Sequence, residues 1–103
     1  MNLVVLGTNH KYSPLETRER LAFGKKRLRE AVSVLLNYNS INAGVILSTC
    51  NRVELYASVL DTAIGIESIK DFLTDYQYQE LNKIASYLYT YIGKEAIQHL
   101  FGV

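Results

Sequence analysis

The stretch A43-G44-V45-I46-L47-S48-T49-C50-N51-R52-V53-E54-L55-Y56-A57-S58-V59 decides how this chain is read. Residues 43–47 are an unbroken apolar run, continuous enough to predict a central strand. From Arg52 onward the residues alternate. Val53, Leu55, Ala57 and Val59 point one way, and Arg52, Glu54, Tyr56 and Ser58 the other, which predicts a second strand. Between the two runs lies Ser48-Thr49-Cys50-Asn51, which holds the only cysteine in the chain.

Working back from this pair, residues 37–42 (NYNSIN) form a turn. Leu28, Ala31, Val32, Leu35 and Leu36 precede it at helical spacing on one face, with Lys26, Arg27, Arg29 and Glu30 mostly off that face. An earlier helical piece runs to about Phe23 and is interrupted by Gly24. Ser13 reads as its cap, Pro14 as its first helical residue and Glu16 as the partner in a capping box. L3-V4-V5-L6 predicts a short buried strand that stops at Gly7.

Working forward, Asp61 caps a helix whose inward stripe is Ile66, Ile69, Phe72 and Leu73. Residues 76–80 (YQYQE) read as a loop. Residues 86–92 (SYLYTYI) alternate again, with Tyr87, Tyr89 and Tyr91 on one face, and predict a strand. Gly93 breaks it, and residues 94–101 begin a final helix.

The order strand, helix, strand, strand, helix, strand is the β-α-β-β-α-β pattern of a ferredoxin-like α+β domain. It implies two helices on one face of a four-stranded antiparallel sheet, here with an additional C-terminal helix. Residues 1–92 form this domain on that reading, and residues 93–103 start a following helix. The ending HLFGV lacks a polar tail or a clear cap, so a truncated piece of a longer polypeptide is expected.

Composition narrows the chemistry. With 11 basic and 10 acidic residues the net charge is +1, which gives no broad electropositive face for nucleic acid. One cysteine and two histidines, His10 and His99, are too few for a thiolate metal site. A lone cysteine forms no internal disulfide and fits a reducing compartment. No apolar run approaches a membrane span, and the cytoplasm is the expected location. There is no complete glycine-rich phosphate loop. G7-T8-N9-H10-K11 resembles one only loosely, because the second glycine and the spacing are missing.

Cys50 is therefore the centre of interest. Free cysteines are usually buried as small hydrophobes, yet this one lies among polar residues at a strand end, and Arg52 two positions on favours a thiolate if it approaches. Spacing alone leaves nucleophile and core residue both open. His10 follows the first strand. With the first and third strands taken as parallel neighbours, its loop falls at the opposite end of the sheet from Cys50, and N9-H10 then reads as a polar turn. His99 is either a satisfied core or interface histidine or a proton donor. The tyrosine row is either a base-stacking platform or a covered face, and K25-K26-R27-L28-R29 reads as a solvated helix face.

Three blocks carry a resemblance: N9-H10-K11 with Pro14 and R18-E19-R20-L21, then L47-S48-T49-C50-N51-R52-V53-E54-L55-Y56, then G93-K94-E95-A96-I97-Q98-H99-L100-F101. In this order they strongly resemble the N-terminal catalytic domain of the glutamyl-tRNA reductases, and STCNR-x-E-x-Y is the specific part. Tyr12, Ser13 and Gly102 depart from residues common in that family.

The resemblance implies that Cys50 attacks the ester of glutamyl-tRNA(Glu) and holds the glutamyl group as a thioester. NADPH then reduces it to glutamate-1-semialdehyde, on the route to 5-aminolevulinate and tetrapyrroles. It maps Ser48, Thr49, Asn51, Arg52, Asn9 and His10 to the substrate pocket and His99 to a residue important for activity. It places His10 beside Cys50, against the strand-order reading. It also implies NADPH held mainly by a domain absent from these residues, a homodimer formed through another absent domain, and possible contact with the downstream aminomutase. The alternative is a noncatalytic ferredoxin-like module that binds RNA or regulates.

Overall fold

The computed structural model describes residues 2–102. Four strands, β1 (Asn2–Asn9), β2 (Ile41–Ser48), β3 (Arg52–Val59) and β4 (Tyr89–Ile92), form one sheet in the order β2-β3-β1-β4. Every neighbouring pair is antiparallel. The helices are α1 (Leu15–Leu21), α2 (Lys25–Leu35), α3 (Thr62–Tyr76), the single turn α4 (Leu81–Ile84) and α5 (Lys94–Phe101). This is the ferredoxin-like α+β arrangement with an extra C-terminal helix. None of the helices among the described residues is long and apolar enough to cross a membrane.

One face of the sheet carries the main core. Val4 and Leu6 of β1 and Val53, Leu55, Ala57 and Val59 of β3 meet Ala31 and Leu35 of α2 and Ile69, Phe72 and Leu73 of α3. The stripe on α3 falls as its spacing predicts, with Ile66 partly buried at the edge. Asp61 caps this helix by accepting the Ile64 amide at 2.9 Å. Phe72 stacks on Phe23 and Tyr76, with centroids 6.1 and 5.2 Å apart, and so joins α3 to the stretch between α1 and α2.

Several expectations change. β2 is an edge strand, and Val45 is exposed on its outer side. β1 continues past Gly7 to Asn9. Pro14, not Ser13, occupies the cap of α1, where no side chain caps the helix. The Ser13 hydroxyl instead accepts from Thr8 at 2.9 Å and donates to the Asn9 carbonyl at 3.2 Å. The last strand is only four residues long because residues 85–87 form a 3-10 turn, which takes Tyr87 out of the tyrosine row. Residues 76–80 are more ordered than a plain loop: the buried Gln77 amide donates to the Leu21 and Ala22 carbonyls at 2.9 and 2.7 Å, closing the end of α1.

The strand directions also differ from the sequence reading. β1 and β3 are antiparallel, so β1 and β2 run parallel with β3 between them. The ends of β1 and β2 therefore share one edge of the sheet. The connections that carry His10 and Cys50 adjoin there, and the amide of His10 donates to the Asn51 carbonyl at 2.8 Å.

The second face is not a solvated polar surface. Gly93 adopts φ 61°, a conformation that favours glycine, and turns the chain from β4 back over the sheet. Ala96 of α5 packs against Val5 and Tyr56, and Glu54 beneath this layer is 0% exposed. Gly7 lies opposite Glu54 in the β1–β3 register. A Cβ there would sit 2.3 Å from the Val53 carbonyl oxygen and 2.9 Å from Glu54 Cγ. Gly7→Ala is accordingly expected to cost about 1–3 kcal/mol by overpacking, read as a lower urea midpoint at unchanged slope.

Candidate active site

The turn between β2 and β3 is built from its own sequence. The Thr49 hydroxyl accepts the amides of Asn51 and Arg52, both at 3.2 Å, and the Thr49 amide donates to the Arg52 carbonyl at 2.8 Å. This short-range bonding is the reason Ser/Thr residues nucleate turns. It leaves Cys50 exposed at the tip, which removes the core-residue reading. Ser48 anchors the near side, its hydroxyl accepting the Phe23 amide at 2.8 Å.

From below, Arg18 of α1 reaches the same turn. It is 9% exposed, donates from Nε to the Cys50 carbonyl at 3.0 Å, and also bonds the Ser13 carbonyl. Beside Cys50 opens a cleft of about 470 Å³, lined among others by Arg18, Glu19, Lys25, Ser48 and Thr49. Arg18 is a residue that sequence reasoning left without a role. Its signal was weak: a basic side chain on the same turn of helix as Thr17 and Leu21, both buried.

On the outer face a second group gathers two residues along β3. Glu54 Oε2 accepts the Tyr89 hydroxyl at 2.5 Å and meets His99 Nε2. Its Oε1 accepts the Tyr56 hydroxyl at 3.0 Å and faces Arg52 Nη1 at 3.5 Å. The imidazole of His99 packs at a tilt against Tyr91 and Tyr89, with centroids 4.8 and 5.2 Å away. His99 and Glu54 therefore occupy the tyrosine face, and Tyr89 is buried. A base-stacking platform needs that face open.

Glu54 is the second residue the sequence left unassigned. The alternation of β3 puts it on the side away from Val53 and Leu55, which does not say what covers that side. A possible clue was Tyr56, Tyr89 and Tyr91, hydroxyl-bearing rings that need a polar partner once covered. Burial pushes its pKa up, but the hydrogen bonds from Tyr89 and His99 outweigh that, and the carboxyl ends below the usual carboxylate range. Burial beside the same carboxylate pushes the Tyr89 and Tyr56 phenols up, so both stay protonated donors.

The remaining predicted residues fall between the two groups. The Asn9 side chain accepts the Lys11 amide at 2.9 Å and approaches the Tyr89 hydroxyl at 3.4 Å. Among the described residues no hydrogen bond engages the side chains of His10 or Asn51. Arg52 links the parts: it leaves the Cys50 turn and lies on the Glu54 side of β3, about 7 Å along the strand from that residue. The structure thus gathers Cys50, His10, Asn51 and Arg52 at one sheet edge and joins His99 to them through Glu54. It shows no cluster of groups suited to a metal among the described residues.

With this geometry in place, the comparisons are specific. Residues 6–103 match the family described as "Glutamyl-tRNAGlu reductase, N-terminal domain". The whole chain is 45% identical to a glutamyl-tRNA reductase of Carboxydothermus hydrogenoformans and 44% identical to one of Pelobacter propionicus, covering 23% and 24% of those proteins. The solved glutamyl-tRNA reductase from Methanopyrus kandleri superposes with a TM-score of 0.62 at 29% identity, over 98% of this chain and 21% of that one. The chain thus spans about a quarter of the length of the relatives it matches.

The lowered pKa of Glu54 sets a pH dependence. Relative to an ordinary value of 4.5, the native carboxyl binds fewer protons than the unfolded one. Its contribution to stability is complete above that value and is lost as pH falls through the native pKa. Glu54→Gln should flatten this acid limb in urea melts taken between neutral pH and the acid transition. An unchanged acid limb would contradict the assignment.

Proposed function

The chain belongs to the glutamyl-tRNA reductase N-terminal domain family, and we propose that its Cys50 is the nucleophile that takes glutamate from glutamyl-tRNA(Glu) as a thioester. The observation that carries this is the exposed thiol at the tip of a turn tied from within by Thr49 and from below by Arg18, beside an open cleft. An aminoacyl ester is already activated, so a positioned thiolate attacks it without a full triad. The sulfur–carbon bond forms as the carbon–oxygen bond to the ribose breaks, and the tRNA leaves with a free hydroxyl.

Arg52 suits the glutamyl carboxylate, because its guanidinium offers paired donors and only one edge is engaged by Glu54. Asn51 and His10 present side chains to the same edge. Ser48 and Thr49 line the cleft beside Cys50, and Asn9 stands at the end of β1, where it orders the neighbouring loop through the Lys11 amide. His99 serves as the proton donor to the departing ribose oxygen.

NADPH is the reductant implied by the family, and the glycine-bearing segment 7–11 does not fit its phosphates. Gly7, the only glycine in the loop-like segment 7–11, is packed beneath Glu54 and cannot cradle a phosphate. The hydride step is therefore assigned to no residue of this chain. On this reading residues 1–92 are the ferredoxin-like domain, residues 93–103 add the helix that carries His99, and both belong to a longer cytoplasmic enzyme. That enzyme is a homodimer that passes its aldehyde to the downstream aminomutase, committing glutamate to tetrapyrrole synthesis.

Acid-quenched incubation of the chain with glutamyl-tRNA(Glu) should leave a glutamyl adduct on Cys50 by mass spectrometry. In the full-length enzyme, Cys50→Ser should lower reductase turnover on the order of 10³-fold or more. A thiol that resists both acylation and alkylation, together with an active Cys50→Ser enzyme, would sink the proposal.

A further inference from the structure

We infer that Glu54 is a positioning residue that fixes the tautomer and orientation of His99, leaving Nδ1 as the ring atom that carries the proton to the ribose oxygen. This rests on the proposed acylation of Cys50 and adds to it a specific atom and the group behind it.

Four donors converge on one fully buried carboxylate. Tyr89 and His99 share Oε2, while Tyr56 and Arg52 share Oε1. An ionised carboxylate only accepts hydrogen bonds, so the ring nitrogen that faces it must carry its hydrogen. That nitrogen is Nε2. With both oxygens doubly engaged and no exposed surface, Glu54 has no place for a substrate group and acts through His99.

The surroundings fix the ring as well as its tautomer. Tyr91 and Tyr89 pack against the imidazole at tilted angles and Nε2 is bound at one end, so a flip of the ring would lose the carboxylate. Nδ1 forms no hydrogen bond to a described residue. A helix held only for packing would not require a buried charge. α5 buries Ala96 but leaves Ile97, Leu100 and Phe101 exposed, and its closest polar tie to the sheet is the one through His99.

The proton count closes without an added reactant. The Cys50 thiol gives its proton to water and its sulfur bonds the acyl carbon. As the carbon–oxygen bond breaks, the ribose oxygen takes the Nδ1 proton. His99 is left neutral with its hydrogen on Nε2 against Glu54, and it regains a proton at Nδ1 from water.

Two measurements test this. In nitrogen-15 spectra of the chain, His99 should show a slowly exchanging, strongly downfield proton on Nε2, absent in Glu54→Gln. A wild-type ring bare at Nε2 and protonated at Nδ1 overturns the inference without any variant.

In the full-length enzyme, Glu54→Gln should slow Cys50 acylation by glutamyl-tRNA(Glu) about 100-fold with KM changed less than about threefold. Alkylation of Cys50 by iodoacetamide should keep its wild-type rate. His99→Ala should show a similar loss, and the double variant should be no worse than either alone, since one acts through the other. Multiplying losses, or wild-type acylation in Glu54→Gln, would refute the role. An active Cys50→Ser enzyme would instead refute the underlying nucleophile reading and leave the spectral result standing.

Discussion

A single buried carboxylate organises the outer side of this domain. Glu54 has no exposed surface, so its charge is tolerable only because every lone pair finds a donor. Those donors come from three places: Arg52 and Tyr56 on its own strand, Tyr89 on β4, and His99 on α5. Meeting that requirement ties α5 to the sheet and holds His99 against Glu54. The same constraint reaches into the backbone. Gly7 must lack a side chain because Glu54 lies across it.

The other half of the site depends on strand direction. β1 and β2 run parallel with β3 between them, so the two connections that leave their ends emerge side by side. One carries His10 and the other Cys50. Arg18 and Gln77 then tie the helical layer to that edge: Arg18 holds the Cys50 carbonyl, and Gln77 closes the helix that bears Arg18. Cys50, the proposed nucleophile, is thus carried on a turn that is exposed at its tip and anchored at its base, the combination a reactive thiol needs.

Much of this was legible. The period-two alternation of residues 52–59, the helical stripe through Ile69 and Phe72 and the cap at Asp61 are local patterns, and each element formed where its pattern lies. The polar turn around Cys50 was equally plain, because Thr49 bonds amides only two and three residues away. Ser13 was misread because its hydroxyl is claimed by Thr8 and Asn9, which a capping motif does not reveal. β2 was misplaced because an apolar run is equally compatible with a central strand and with an edge strand partly exposed on its outer side.

Local patterns suffice for the order of strands and helices, for the polar turn that carries Cys50 and, through STCNR-x-E-x-Y, for the family. The burial of Glu54 on the polar side of β3, its contact with His99 and the shared edge of His10 and Cys50 emerge with the folded chain. Alternation records that two faces of a strand differ, but not what covers them. Glu54 and His99 are 45 residues apart in the chain, and their meeting follows from where Gly93 turns the backbone, a long-range fact that no local pattern holds.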